Sequence, residues 1–450
     1  MLLLLVIAGC ERREPYVSVE DAENEWIVDI SVEPVEQMPS ALRVQFSSTS
    51  PGAAWVEFGE DSTLGRSSPV GGEGTRHEAI VLGAAPLSAV KMRAVVVLDG
   101  EERASELFEV DSGQLPIAAP LLEVTVDDYD VPDATTLLMS VYADDRDDTV
   151  VMSSLGGEVF WAVTQADDGA FGIGVQAEEG GLAFNRFRDM TDGSVEGDID
   201  RIDQWGTLIE RIDVPDAHHY FARPGGGQTL WLTGDTRQVS GIGQVRGDQV
   251  MITDADGESR VLLDLFDVLE VTASDLPEDI YDWSHANWLT YDARRDTFLV
   301  CAGFINTIVE FNITGEVLDV YGGLGAANGD YSFDPPGAAF DIPHGVHWAD
   351  NGDLLMFAAD DETRVVQALR YEVDAEARVM RRVWSHGAEE GREPQVLGEL
   401  KQLSDGNLLV NWGSWGTIQI VSPEGELLYE ALTDFLEFPG QIQLLESPYF

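Results

Sequence analysis

The sequence predicts an all-β fold: a six-bladed β-propeller preceded by a small fibronectin- or immunoglobulin-like β-sandwich. Three observations carry that expectation. Residues 21–113 hold short runs in which apolar and polar residues alternate, the period-2 signal of half-buried strands. From residue 114 to residue 450 a turn-plus-strand unit recurs six times, about 50 to 60 residues apart, the period expected of four-stranded blades set around an axis. No long amphipathic helical pattern interrupts either stretch.

The chain opens Met1-Leu-Leu-Leu-Leu-Val-Ile-Ala-Gly-Cys10, followed by Glu-Arg-Arg. Small residues just before a cysteine form the lipobox of a lipoprotein signal peptide. Residues 1–20 therefore read as signal and polar tether, with Cys10 as the lipidated residue. An apolar run of about eight residues is too short to span a bilayer. The expected attachment is by acyl chains, and the expected location is the cell envelope, periplasmic or at the outer membrane.

Strand candidates in 21–113 include Trp26-Ile-Val-Asp-Ile-Ser-Val, Leu42-Arg-Val-Gln-Phe, Ala54-Trp-Val-Glu-Phe, His77-Glu-Ala-Ile-Val-Leu, Lys91-Met-Arg-Ala-Val-Val-Val and Ser105-Glu-Leu-Phe-Glu-Val. Six or seven strands in about 90 residues is sandwich density. His77 reads as an ordinary surface or sheet histidine. The propeller repeat appears as Gly156-Gly-Glu-Val-Phe-Trp, Gly206-Thr-Leu-Ile-Glu-Arg-Ile, Asp256-Gly-Glu-Ser-Arg-Val, Thr314-Gly-Glu-Val-Leu-Asp-Val, Ala377-Arg-Val-Met-Arg-Arg-Val and Glu424-Gly-Glu-Leu-Leu-Tyr. The tail Gln441-Ile-Gln-Leu-Leu is expected to close the ring by pairing with the first blade. Cys301 lies in the apolar run Thr297-Phe-Leu-Val-Cys-Ala and reads as a buried structural thiol. No internal disulfide is expected.

Asp and Glu number 82 against 26 Lys and Arg, a formal net charge of −56, and Lys91 and Lys401 are the two lysines. Such a surface repels phosphate backbones and anionic lipid, which excludes nucleic acid as a partner and limits membrane contact to the lipid anchor. Hydrophobic residues at 44%, with 40 Trp, Tyr and Phe, argue for a packed core rather than disorder.

Histidine is scarce. Of seven, five fall in three similar elements. The first is His218-His219, ahead of Gly225-Gly-Gly-Gln-Thr-Leu-Trp-Leu. The second is His285-Ala-Asn287-Trp-Leu-Thr-Tyr. The third is His344-Gly-Val-His347-Trp, ahead of Gly352-Asp-Leu-Leu-Met-Phe. In a propeller, equivalent positions of successive blades share a radius and a height, and the entrance of an inner strand faces the channel. His219, His285 and His344 are thus expected at one axial site, with His218, Asn287 and His347 close by. Neutral imidazoles suit nucleophilic and acid–base chemistry near pH 7. Three of them also suit Zn²⁺ with an open fourth position. His386, in Trp384-Ser-His-Gly, reads as structural. The acidic turns Asp145-Arg-Asp-Asp and Asp254-Ala-Asp-Gly match no full calcium loop and read as solvated turns.

These elements resemble the bacterial arylsulfotransferase (aryl-sulfate sulfotransferase) family, exported six-bladed propellers behind a small β-sandwich. The residues that carry the resemblance are His218-His219, Asp282-Trp283-Ser284-His285-Ala286-Asn287, Tyr321-Gly322-Gly323 and His344 before Asn351-Gly352-Asp-Leu-Leu-Met-Phe. The resemblance implies transfer of a sulfuryl group from an aryl sulfate to a phenol through a sulfo-histidine, with no nucleotide donor and no cofactor. His344 matches the nucleophile. His219, His285 and Asn287 match residues that hold the sulfuryl oxygens and assist proton transfer, and His218 and His347 are expected to help bind substrate.

Two positions depart from the family. The arginine that clamps the sulfate falls on Gly303, and the glutamine usual before the nucleophile is Pro343. Arg294 and Arg295 are expected to face solvent rather than replace that clamp. Phe340-Asp-Ile-Pro-His-Gly-Val also resembles NHL-type propellers, whose lyase members bind zinc with histidines from separate blades. Two alternatives follow: a zinc-dependent lyase or hydrolase, and a non-catalytic envelope propeller that binds a ligand or partner.

Overall fold

The computed structural model describes residues 17–143, 148–164, 171–190, 195–272, 282–360, 364–388, 391, 397–433 and 437–450. Cys10, the rest of the lipobox and most of Asp145-Arg-Asp-Asp lie outside the described residues. Strands make up 60% and helix 4%, so the chain is all-β, with many antiparallel sheets. No helix among the described residues is long and apolar enough to cross a membrane. The chain divides into two compact units: Met1–Ala118 with Phe160–Ala162 and Tyr449, and the remainder.

The first unit is built on two sheets. One orders Val17–Ser18, Ile27–Pro34, Leu42–Gly52 and Gly74–Val81; the other centres on Ala54–Gly59 and Ala89–Leu98. Alternation does what period-2 patterning requires. Val44 and Phe46 point inward from the first sheet, Val56, Phe58, Met92, Ala94 and Val96 from the second, and all belong to one apolar cluster. His77 is a sheet residue and is buried, its Nε2 2.8 Å from the Ser48 hydroxyl and its ring packed on Phe46.

Beyond these two sheets, the described residues form six more. The turn-plus-strand repeats of the sequence correspond to one strand in each. Val159–Thr164, Leu208–Asp213, Ser259–Asp264, Val317–Gly322, Val379–His386 and Leu427–Thr433 each end the run of consecutive strands in a sheet. The turn before them needs one left-handed residue. Glycine supplies it at φ 81° to 92° in five copies (Gly157, Gly206, Gly257, Gly315, Gly425), and Arg378 takes φ 55° in the other. The tail strand Glu437–Leu445 runs antiparallel to Thr136–Ala143, with Ile442 opposite Met139 and Leu444 opposite Leu137, so the end of the chain joins the sheet at its beginning.

Burial differs along each sheet. Thr297–Ala302 and Thr307–Phe311 are buried at every position, while Leu208–Asp213 is mostly exposed. Middle strands covered on both faces read as continuous apolar runs; last strands face water and carry acid. Cys301, in such a middle strand, is fully buried and free, and burial pushes its thiol pKa well up. Arg294 binds Asp292, Asp350 and the Trp348 carbonyl; Arg295 binds Glu310 and lies over the Trp348 ring. His386 is held by Gln419 and stacks on Trp384. Asp254 caps its own turn by accepting from the backbone N–H of Asp256 and Glu258.

Candidate functional site

The strands Ala217–Gly225, Ala286–Asp292 and Phe340–Trp348 each begin a sheet, and each pairs irregularly with the next strand. Register slips between His218 and Phe221, between Ala286 and Trp288, and on both sides of His344. Such bulges bend a strand and re-aim its side chains. His219 stands at φ 57° and His285 at φ 44°, left-handed values that are uncommon outside glycine. Ahead of His344 the left-handed residue is Ile342, at φ 50°; ahead of Glu399 it is Leu397, at φ 69°. All four line one cavity of about 360 Å³, together with Asn287, His344, Phe304 and Phe357. Strain of about 1–3 kcal/mol per residue gathered at one cavity is characteristic of functional sites.

Sequence spacing aligned His344 with His219 and His285. The backbone instead puts Ile342 in their conformation, and His344 follows two residues later, 8% exposed. Its Nδ1 lies 2.7 Å from the carbonyl oxygen of Gly398. A carbonyl only accepts, so Nδ1 carries the proton and Nε2 keeps the lone pair. Tyr220 and Trp288 pack around the ring at 5.6 Å and 5.3 Å between centroids. Burial lowers the His344 pKa to about 4, so the ring is neutral at pH 7.

Asn287 is 4% exposed, and its buried Oδ1 has no hydrogen-bond partner among the described residues. Its amide occupies the space beside Gly303, where a Cβ would lie 2.4 Å from Asn287 Nδ2. The position that aligns with the family arginine therefore has no room for a side chain while Asn287 stays where it is. His285 stacks on Phe304, 4.1 Å between centroids and 9° from parallel, and its Nδ1 is 2.7 Å from the Asp282 carboxylate. A carboxylate accepts, so this Nδ1 also carries the proton.

His219 packs edge-on to His285, with ring centroids 4.9 Å apart. Its Nδ1 is 2.9 Å from the Nδ1 of His218, whose Nε2 is 3.1 Å from Asp248. Burial, then the neighbouring His218, pushes the His219 pKa well down. Asp248 is fully buried, and that burial would raise its pKa. Hydrogen bonds from His218, the Ser284 hydroxyl and the Ala286 N–H outweigh it and hold the carboxyl well below the usual range.

Four of the six candidates thus line the cavity. His218 stands behind His219. His347 is bound by Glu399 at 3.0 Å and faces a second cavity of about 350 Å³ with Thr290, Arg294 and Lys401, with the Trp288 ring 5.5 Å away. Trp288 packs on both His344 and His347. Among the described residues no group of three or more His, Cys, Asp or Glu is placed to hold a metal ion. The Gly322-Gly323 pair serves packing: a Cβ at either would press on the backbone of Asn328 or Phe340. Sequence reasoning missed Asp248 and the Gly398 carbonyl. Asp248 sits 30 residues from His218 with no motif around it, and a backbone carbonyl leaves no mark in a sequence.

A family model described as Arylsulfotransferase (ASST) matches residues 124–430. The chain belongs to the arylsulfotransferase family. The matched stretch contains every residue that lines the cavity. No curated protein matches the chain. Solved structures similar to this chain include a protein of unknown function from Bacteroides caccae, at 14% identity and TM-score 0.43, covering 69% of this chain and 99% of that one. A hypothetical selenium-binding protein from Sulfolobus tokodaii matches at 10% identity and TM-score 0.41, over 88% and 94%. The soluble aldose sugar dehydrogenase of Escherichia coli matches at 10% and 0.36, over 72% and 99%. At these scores the likenesses carry no functional argument.

Proposed function

We propose that this family member moves a sulfuryl group from an aryl sulfate to a phenol through a sulfo-histidine on His344. The observation that carries the reading is the fixed tautomer of His344: its Nδ1–H donates to the Gly398 carbonyl, and the neutral ring keeps its Nε2 lone pair in a cavity shared with His219, His285 and Asn287. In the first half-reaction Nε2 attacks sulfur, the S–O bond to the aryl oxygen breaks, and the phenoxide leaves with the electron pair. The N-sulfo ring is an imidazolium whose Nδ1–H still donates to Gly398. In the second, an acceptor phenol gives up its proton as its oxygen attacks the same sulfur, the N–S pair returns to Nε2, and that proton balances the phenoxide released in the first.

Phe304, Ile342, Phe357 and Leu397 form an apolar wall suited to an aryl ring. Asn287 supplies an amide donor for a sulfuryl oxygen and an unpartnered Oδ1 for an incoming phenol hydroxyl. In the same reading the six sheets are the blades of a propeller closed by Glu437–Leu445, residues 21–113 form a β-sandwich, and a lipid on Cys10 holds the protein at the cell envelope.

A second reading, a non-catalytic binder, is favoured by Gly303, which supplies no guanidinium. One experiment separates the two. Incubation with a nitrophenyl sulfate is expected to release phenol and leave an acid-labile adduct of about 80 Da on His344, absent in His344→Gln. No phenol and no adduct from the wild type would leave only the binder.

A further inference from the structure

We propose that Asp248, His218 and His219 form a proton relay that lends a proton to the departing phenol and recovers it from the acceptor phenol. This rests on the sulfuryl-transfer reading above.

Asp248 Oδ2 accepts from the Ser284 hydroxyl and the Ala286 N–H, and its Oδ1 faces His218 Nε2 at 3.1 Å. A buried carboxylate so occupied only accepts, so His218 Nε2 carries a proton in every state. The two Nδ1 atoms of His218 and His219, 2.9 Å apart, then share one proton between them. When His218 is doubly protonated, its Nδ1–H donates to His219, and His219 presents Nε2–H to the cavity. When His218 is neutral, His219 Nδ1–H donates to His218, and His219 presents a lone pair. The face that His219 shows to substrate is thus set by the proton shared between the two Nδ1 atoms, on the side of the ring away from substrate, while Asp248 holds the other nitrogen of His218.

The half-reactions use the two states in turn. As the S–O bond of the donor breaks, His219 Nε2–H passes to the phenoxide oxygen, and the Nδ1 proton of His218 moves onto His219 Nδ1. The phenol leaves neutral and His218 is left neutral. In the return step the acceptor phenol gives its proton to His219 Nε2 as its oxygen attacks the sulfur of sulfo-His344. The Nδ1 proton goes back to His218, and the N–S electron pair goes back to His344 Nε2. The sum is one aryl sulfate and one phenol exchanged for another pair, with no proton gained or lost.

His219 stays neutral in both states, as its burial favours. The groups facing it are His218 on its own strand, Asp248 on Gly243–Thr253, His285 with Asp282 on the next sheet, and His344 on Phe340–Trp348. Asp248 also binds the residues on either side of His285, so one carboxylate sets both histidine arms. Asp248 and His218 are positioning residues: they act through His219 and do not line the cavity.

The test uses the full chain and the variants His218→Phe and Asp248→Asn. Sulfation of His344 is timed with aryl sulfates whose leaving phenols run from strongly to weakly acidic, and in H₂O–D₂O mixtures. The relay predicts that His218→Phe slows weakly acidic leaving groups by about 100-fold or more, and nitrophenyl donors by less than about tenfold. It also predicts a curved proton inventory in the wild type that becomes linear in the variant. Equal slowing across the series, or a linear wild-type inventory, would overturn the relay while the His344 adduct still stands. Absence of any adduct from the wild type would overturn the parent reading and the relay with it. If Asp248→Asn does not fold, His218→Phe alone decides.

Discussion

Replacing His344 by Phe tests the state of the proposed nucleophile without any substrate. In the unfolded chain a histidine titrates near 6.5; in the folded protein burial lowers His344 to about 4. Between those values the unfolded chain binds a proton here that the native protein does not. Native stability therefore falls as pH falls through this window, and His344 makes no such contribution above it. The difference is about 2.5 pH units at about 1.4 kcal/mol each, so roughly 3 kcal/mol is lost between about pH 6.5 and pH 4. His344→Phe keeps a ring between Tyr220 and Trp288 but removes the titration. It also leaves the Gly398 carbonyl without its donor, an offset of about 1–3 kcal/mol that does not vary with pH. The assay is urea unfolding of both proteins from pH 4 to 7.5, followed by tryptophan fluorescence. The wild type is expected to lose about 3 kcal/mol more than the variant on acidification. Parallel stability curves would refute the claim that His344 is held neutral. The same lone pair sets the acid limb of phenol release near pH 4 rather than near 6.5.

Two further outcomes follow from the site and its setting. In Gly303→Ala the new Cβ would sit 2.4 Å from Asn287 Nδ2, so the amide must shift. A loss of about 1–3 kcal/mol is expected in a thermal melt, together with slower phenol release; an unchanged rate would remove Asn287 from the reaction. Because the chain carries −56, raising NaCl to about 1 M, where the screening length falls to about 3 Å, should lower the KM for an anionic aryl sulfate and leave that for a neutral phenol little changed. Equal movement of both would show that the protein's field does not act on the donor.

Much of this site was legible before the fold was known. His219, His285, Asn287 and His344 were singled out by their place in repeated elements, and all four line the cavity. The tail, read in the sequence as pairing with the first blade, pairs with Thr136–Ala143, with Ile442 on Met139. These signals are local. A turn glycine, an alternating strand and a histidine at a strand entrance each leave a pattern within a dozen residues.

His347 shows where local reading stops. It lies three residues from His344 on the same strand, yet register slips on both sides of His344, and His347 faces Glu399 and the second cavity. The sequence by itself determined that the chain is β throughout, that one unit recurs six times, and that its few histidines gather in three elements. Only the tertiary structure decided which of those histidines share a cavity. It also chose Asp248 and the Gly398 carbonyl as the groups that fix where their protons sit. Bulges and side-chain hydrogen bonds, one across a sheet and one between sheets, make those choices, and both bonds join residues 30 and 54 apart in the chain.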